Sequence, residues 1–247
     1  MCYDMSYFSS IKLITEFIQI DAIPEFDFTP TYHQVAQSWH PFPVVIFEDG
    51  AIKLKYFEWG LIADYMNTPD KIKQYRSSMA NARSEKILDD QRSVWHRLRK
   101  QRCLVFTTGF FEHREVGWKK KLPYFIKVKN TEVFCFAGLY NYSPLPDKET
   151  GELIGTFTII TRPANALMKK IHNHGPNSER MPLILTKELA QQWLHPQLTD
   201  EQMRSLLAFE FPETEMEAWP VNTIRTRKAD DEHMLDALPI ESVPPLV

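Results

Sequence analysis

The second residue of this chain, Cys2, offers a chemistry that no internal residue has. An initiator methionine is usually removed when a small residue such as cysteine follows it. Removal leaves an α-amine, which titrates near pH ~8, beside a thiol with a pKa of about 8.5. This pair condenses with an aldehyde, first to an imine and then to a closed thiazolidine ring. Taken alone, Cys2 is better explained as an ordinary second residue, so a catalytic role for it has to be supported by the rest of the chain.

Three internal segments carry side chains suited to proton transfer or anion binding. Asn81 and Arg83 lie two residues apart, so an extended segment would turn both toward one face. A guanidinium suits phosphate, and a carboxylate such as Glu112 or an imidazole such as His172 suits general acid–base catalysis. Each also has an ordinary explanation, such as a turn cap, a solvated charge, a strand-end carboxylate or a histidine at a helix C-terminus.

The elements that must position these residues are mostly strands. Runs of β-branched and aromatic residues predict strands over 44–47, 52–57, 103–107, 124–128, 133–139 and 156–161. Helical spacing of apolar residues predicts helices over 9–20, 91–100, 164–171 and 187–194, and Thr199 with Gln202 predicts a capping box. We expect an ordered loop over 24–43 and a surface tail after about 222. The fold class is therefore α+β, one β-rich domain over 1–247 with mostly antiparallel strands and inserted helices.

Composition excludes several classes of protein. The 247 residues carry a formal net charge of −3, so a nucleic acid would have to meet a local basic surface. Three widely spaced cysteines without a CxxC pair argue against a structural zinc site and a disulfide framework, and no metal or cofactor is expected. Their odd number suits a reducing, cytoplasmic location. No apolar run approaches the ~18 residues that a membrane span needs.

The motifs together resemble the SOS-response-associated peptidase (SRAP) family. The matching segments read MCYD at the start, NARSE at 81–85, RCLVFTTGFFEH at 102–113 and IHNHGPNSERMP at 171–182. The segment WGLI at 59–62 also matches, and the resemblance extends from Cys2 to about Val221. Each motif alone is weak, but their order and spacing are specific.

The resemblance implies a function, a fold and a set of site residues. It implies the SRAP fold and a sensor of abasic sites in single-stranded DNA, whose N-terminal cysteine crosslinks covalently to the ring-opened sugar. Cys2 would supply the amine and thiol, Asn81 a hydrogen bond to the aminothiol or sugar, and Glu112 and His172 the proton transfers. Arg83 would hold phosphate. Self-processing peptidase activity on Met1, abasic-site lyase activity and a monomeric state are also implied.

Further DNA contacts are expected from a basic stretch at 92–102. Arg97, Arg99 and Arg102, interleaved with aromatic residues, suit the backbone and bases of a single strand. A solvated helix face over a core tryptophan is the open alternative. Trp59 of the WGLI segment is also expected to contact DNA. A second basic cluster, at 118–121, is expected at a hairpin tip.

The chain departs from the family pattern at three places. Asp4 stands where the family commonly has arginine, and His33 stands where it has asparagine. An insertion over 173–179 separates the histidine from the Arg-Met-Pro segment, so His174 competes with His172 for the catalytic role.

Two other functions use the same residues differently. The chain could be an N-terminal-nucleophile amidohydrolase or peptidase, in which Cys2 attacks an amide and Asn81 is the oxyanion donor. It could also be a non-enzymatic binder of modified or single-stranded DNA, in which Cys2 is incidental. Hydrolysis of a peptide distinguishes the former, and a Cys2→Ala variant with intact binding the latter.

Overall fold

The structure is a computed structural model, and it describes residues 2–24, 28–117, 120–225, 230–239, 241 and 243–246. In that part of the chain the strands are β1 (Asp4–Tyr7), β2 (Thr31–Val35), β3 (Pro41–Glu48), β4 (Ala51–Trp59), β5 (Asn81–Arg83), β6 (Arg102–Thr107), β7 (Gly109–Glu115), β8 (Lys121–Val128), β9 (Phe134–Pro146), β10 (Leu153–Pro163), β11 (Arg180–Pro182), β12 (Ile184–Leu185) and β13 (Met216–Pro220). The helices are α1 (Lys12–Phe17), α2 (Pro69–Tyr75), α3 (Glu85–Leu88), α4 (Val94–Arg97), α5 (Ala166–Ile171), α6 (Lys187–Leu194) and α7 (Asp200–Ala208).

The strands form two sheets. One has the order β13–β8–β7–β1–β2, with antiparallel neighbours. In the other, β9, β10, β4, β3 and β6 pair in turn and β6 returns to β9, which closes these strands into a barrel-like sheet. Only the pairings of β10 with β4 and with β5 are parallel among the named strands of the described residues. The predicted α+β class with mostly antiparallel strands is confirmed.

The core includes both faces of the central strands, because every residue of β6 and residues 155–162 of β10 are buried. Trp59 and Phe157 are fully buried and stack with their ring centroids 6.2 Å apart. Burial of each such aromatic side chain contributes about 2–3 kcal/mol. Trp59 and Phe157 are opposite each other in the parallel pairing of β4 with β10, so their contact stabilises this pairing. The next residues of β10 pair with β5, which carries Asn81 and Arg83.

Two of the predicted helices are shorter than expected. The prediction over 9–20 was wrong at its ends, because the chain is helical only over α1 and becomes extended at Ile18. The prediction over 91–100 reduces to α4, which Ser93 caps by accepting a hydrogen bond from the amide of Trp95. The predicted helix over 187–194 is confirmed as α6, and the Thr199–Gln202 capping box is confirmed at the start of α7.

Two segments are more ordered than the sequence suggests. The expected loop over 24–43 contains β2 and the start of β3 in its described part. In the segment expected as a surface tail, Val221 bridges to Ala237, and Ile224 and Met234 are buried. They pack in a small cluster with Phe111 of β7 and other side chains, so the described residues of this segment cover the first sheet. No helix within the described ranges is long and apolar enough to cross a membrane.

Candidate active site

Strand pairing brings the N-terminus to Glu112. β1 runs antiparallel to β7, with Asp4 opposite Phe111 and Ser6 opposite Gly109. The chain before Asp4 therefore approaches the residues that follow Phe111, of which Glu112 is the first. Gly109 allows this packing, because a Cβ there would lie 2.1 Å from a ring carbon of Phe125.

Cys2 is fully buried at this place. Its Sγ lies 3.7 Å from the carbonyl oxygen of Asp4, to which the thiol donates. Burial raises the pKa of the Cys2 thiol well above its usual value, and the negative charges of Glu112 and Asp4 raise it further. The sulfur is therefore a thiol at neutral pH, and it needs a base to take its proton when it attacks an electrophile.

Asn81 joins the second sheet to the N-terminus. It lies on β5, opposite Ile159 of β10, and its Nδ2 donates a 2.8 Å hydrogen bond to the carbonyl oxygen of Cys2. Its Oδ1 is buried and accepts no hydrogen bond from the residues that the structure describes. A buried acceptor next to the reactive residue can orient an amine or a sugar hydroxyl. The structure places the Asn81 side chain against the backbone of Cys2, and its role toward the aminothiol or the sugar stays a prediction.

His172 and Glu112 form a buried pair beside Cys2. His172 ends α5, and its Nδ1 donates a 2.9 Å hydrogen bond to the carbonyl oxygen of Arg180. The neutral ring then carries its lone pair on Nε2, which lies 4.0 Å from Oε2 of Glu112. A small approach or a bridging water would let the two groups exchange a proton.

The rival histidine occupies a different environment. The His174 side chain is 46% exposed, and its Nδ1 lies 3.0 Å from Oε2 of Glu115. The side chain of Asn173 binds the backbone of Glu115: its Oδ1 accepts from the Glu115 amide, and its Nδ2 donates to the Glu115 carbonyl. The geometry therefore favours His172 over His174 as the partner of Glu112.

An ion pair that sequence reasoning missed supports His172. Arg180 donates to both carboxylate oxygens of Glu85 at 2.8 and 2.9 Å and to the carbonyl of Thr161 at 2.7 Å. These bonds fix the residue whose carbonyl orients the His172 ring. Both members of the pair lie in the motifs quoted above, NARSE and ERMP, so opposite charges in two motifs were the available signal.

Two of the three departures from the family pattern, Asp4 and His33, contact each other. His33 Nε2 donates to Asp4 Oδ1 at 2.8 Å, and Arg225 donates to both carboxylate oxygens of Asp4, at 3.1 Å from Nε and 2.6 Å from Nη2. Burial alone would raise the pKa of Asp4, but the hydrogen bonds from His33 and Arg225 outweigh it and hold that pKa below its usual value. Asp4 is therefore ionised, and Arg225 was not identified from the sequence.

A cavity of about 250 Å³ opens the Glu112–His172 pair to solvent. Its wall combines the buried acid–base pair with several basic side chains, and its lining is Glu112, His113, Lys121, His172, His174 and Arg225. No group of three or more histidine, cysteine, aspartate or glutamate side chains among the described residues could hold a metal.

The predicted DNA contacts divide into exposed and buried residues. Arg83 is exposed, and its Nη2 donates to Oδ1 of Asn177 at 2.6 Å. Arg97 is exposed, whereas Arg99 bonds to Asp200 and to the carbonyl of His96. The basic cluster predicted at 118–121 lies partly outside the described residues, which omit positions 118 and 119.

The assignments of Trp59 and Arg102 to DNA contact need correction. Trp59 is fully buried, and its indole N–H donates to the carbonyl of Ala80. Arg102 is buried, and it donates to the carbonyls of Trp193 and His195 at 2.7 Å each. These bonds satisfy carbonyls at the C-terminal end of α6, so Arg102 joins β6 to α6. Its guanidinium is therefore engaged within the protein and is not presented to DNA.

We expect the substitution Arg102→Met to destabilise the fold by about 2–3 kcal/mol, because it leaves buried carbonyls without donors while keeping the apolar stem. Urea unfolding of the variant measures the loss. Arg97→Met, at an exposed position, is the matched control and should stay within about 0.5 kcal/mol of the parent. Equal stabilities of the two variants would contradict the structural role of Arg102.

Known proteins share both the motifs and the fold of this chain. The family model described as "SOS response associated peptidase (SRAP)" matches residues 1–225. The chain is 34% identical over 226 residues to "Abasic site processing protein YoqW" of Bacillus subtilis, covering 91% of this chain and 93% of that protein. It is 31% identical over 241 residues to "Abasic site processing protein YoaM" of the same species, covering 96% and 98%. A crystal structure of a Bacteroides thetaiotaomicron protein superposes with a TM-score of 0.80 at 31% identity, covering 96% of this chain and 100% of that one. This chain therefore belongs to the SOS response associated peptidase (SRAP) family.

Proposed function

We propose that this protein processes abasic sites in DNA by crosslinking covalently to them through Cys2 after Met1 is removed. The observation that carries the proposal is the convergence on Cys2 of a hydrogen bond from Asn81 and the negative charge of Glu112. His172 adjoins the same carboxylate. The two relatives described above, which match nearly the whole chain, are named abasic site processing proteins.

The reaction needs an aldehyde, a free amine and a thiol. An abasic deoxyribose is mostly a closed hemiacetal, and ring opening breaks the bond between C1′ and O4′ while the C1′ hydroxyl loses its proton and O4′ gains one. The α-amine of Cys2 then adds to the C1′ aldehyde, and loss of one water gives an imine. The Cys2 sulfur adds to the imine carbon, its proton passes to the nitrogen, and the thiazolidine closes. The net change is aminothiol plus aldehyde giving thiazolidine plus water.

Each proton transfer has a group nearby. The Cys2 sulfur starts as a thiol, so Glu112 is the base for ring closure, and its carboxylate can also move the proton of the attacking amine. His172 donates its Nδ1–H to the Arg180 carbonyl, so Nε2 has to take up a proton from the attacking amine, through Glu112, before it can give one to O4′ or to the leaving water. Of the two neutral tautomers of His172, this hydrogen bond selects the one with the proton on Nδ1.

Two further activities belong to the same proposal. Met1 has to leave before the amine exists, and a self-processing peptidase step at the Met1–Cys2 bond would supply it. An imine that escapes ring closure can undergo β-elimination at the sugar and nick the strand, which is a lyase reaction. The thiol of Cys2 opposes that outcome, because ring closure removes the imine.

The partner is proposed to be single-stranded DNA, bound by a monomer. Arg83 lies two residues beyond Asn81 on the same short strand and is exposed, so a phosphate next to the sugar can replace Asn177 as its partner. Arg97 offers a second exposed cation. Contacts of this kind predict binding that weakens as salt rises.

A crosslinking assay tests the proposal. Protein shown by mass spectrometry to lack Met1 is mixed with single-stranded DNA that carries an abasic site, a reduced abasic site without an aldehyde, or no lesion. We expect a heat-stable band on a denaturing gel with the first DNA only. Folded, Met1-free protein that gives no band would refute the proposal, and hydrolysis of a peptide panel by the same protein would favour the amidohydrolase alternative.

A further inference from the structure

We propose that Arg225 binds a DNA phosphate next to the abasic sugar and that Asp4 holds it ready for this contact. The inference rests on the proposed function and names a second anchor for its substrate. It concerns the position of Arg225 relative to the acid–base pair, and it is independent of Arg83, which lies on β5 of the other sheet.

Arg225 shares one cavity with the acid–base pair. It lines the space of about 250 Å³ that also contains Glu112 and His172. Asp4, which holds the guanidinium, is separated from Cys2 by one residue. A sugar whose C1′ reaches Cys2 would therefore bring a flanking phosphate to the wall that carries Arg225.

Asp4 orients Arg225 without occupying all of its donors. The carboxylate of Asp4 is 3% exposed and takes Nε and Nη2 of Arg225. A guanidinium has five N–H donors, and Asp4 is the acceptor of two of them, so three are without an acceptor among the residues that the structure describes. The Arg225 side chain is 53% exposed, which leaves its outer part in contact with solvent. An arginine fixed in this way loses less conformational freedom when it binds a planar or forked anion.

The charges around the cavity suit one phosphate. Arg225 and Lys121 supply positive charge to its wall, and burial lowers the pKa of His113, which favours the neutral form of that ring. Glu112 is the acidic residue of the lining, and Asp4 is already neutralised by its donors. A phosphodiester carries one negative charge and accepts two parallel N–H bonds from a guanidinium.

A purely structural role is the competing explanation. Arg225 follows the buried Ile224, so the ion pair with Asp4 could serve only to tie this segment to β1. The two roles differ in one respect. A phosphate anchor matters only when the aldehyde belongs to DNA, whereas a tether that holds Asp4 and Cys2 in place matters for any aldehyde.

The experiment compares two aldehydes with three proteins. Met1-free wild type, Arg225→Gln and Arg204→Gln react with single-stranded abasic DNA and with free 2-deoxyribose, which has the aldehyde but no phosphate. Arg204 is the matched control, since it is an exposed arginine 2.7 Å from an aspartate and lies outside this cavity. For Arg225→Gln we expect about a 10-fold lower crosslinking rate at subsaturating DNA, and a salt slope weaker by about 0.7. The adduct with deoxyribose, followed by intact mass, should form at the wild-type rate.

The double variant Asp4→Asn with Arg225→Gln guards against misfolding, because it leaves no buried carboxylate unpaired. Because the Asp4 charge is one of the causes that raise the pKa of the Cys2 thiol, the double variant is judged by the ratio of its DNA rate to its deoxyribose rate, which should fall as in Arg225→Gln. Equal losses on DNA and deoxyribose, or no loss on either, would overturn the inference and leave the proposed function standing. A wild-type protein that forms no adduct with either aldehyde would overturn both.

Discussion

Cys2→Ala protein without Met1 is expected to form no heat-stable crosslink with abasic single-stranded DNA. Alanine keeps the α-amine, so an imine still forms, but no sulfur is present to close the ring. The imine then reverts or eliminates, and strand nicking should rise above the wild-type level. Cyanoborohydride, which reduces imines, should restore a covalent band to the variant. Denaturing gels with and without the reductant measure all three outcomes.

Cys135→Ala is the control for loss of a buried thiol, because Cys135 is also free and buried but lies on β9. It should retain the heat-stable band. A heat-stable, reductant-independent crosslink formed by Cys2→Ala would refute thiazolidine formation. Absence of a band even with cyanoborohydride would argue that the amine of residue 2 is not the nucleophile.

Glu112→Gln is expected to slow crosslinking by about 10²–10³-fold, the usual effect of losing a general acid–base group. The amide keeps the shape of the carboxylate but cannot take the thiol proton. Removing this negative charge should also lower the pKa of the Cys2 thiol, because Glu112 is one of the causes that raise it. Single-turnover rates across pH should therefore show a slower reaction whose alkaline rise begins at lower pH than in wild type.

Glu115→Gln is the matched control on the same strand, three residues away, where the carboxylate faces His174. It should change the rate less than about 3-fold. The same assay separates the histidines, since His172→Gln should approach the loss of Glu112→Gln and His174→Gln should not. Wild-type rates for Glu112→Gln would remove the carboxylate from the mechanism.

Much of this protein is readable from local sequence. Strands follow the distribution of β-branched and aromatic residues, and helix caps such as Thr199 depend on neighbours three residues away, so the fold class and α6 and α7 were predictable. The family was recognisable because its motifs stand in order along the chain. The special position of Cys2 needs no fold at all, because it depends only on being the second residue.

The tertiary structure decided which residues meet. Trp59 and Arg102 look available to DNA as sequence, yet the closure of the barrel and the docking of α6 bury both. The choice between His172 and His174 depends on the direction in which the chain leaves α5. Local spacing carries no information on such burial, because it results from the faces of elements far apart in the sequence.

The contact between Asp4 and Arg225 shows the limit most clearly. The two residues are 221 positions apart, and no pattern in either segment points to the other. In the sequence, Asp4 is only a residue that stands where the family commonly has arginine. In the fold, Arg225 lies against Asp4, because the segment after Val221 packs on the sheet that contains β1. Residue identity and order therefore determine the available chemistry, and packing between distant segments determines which side chains can use it.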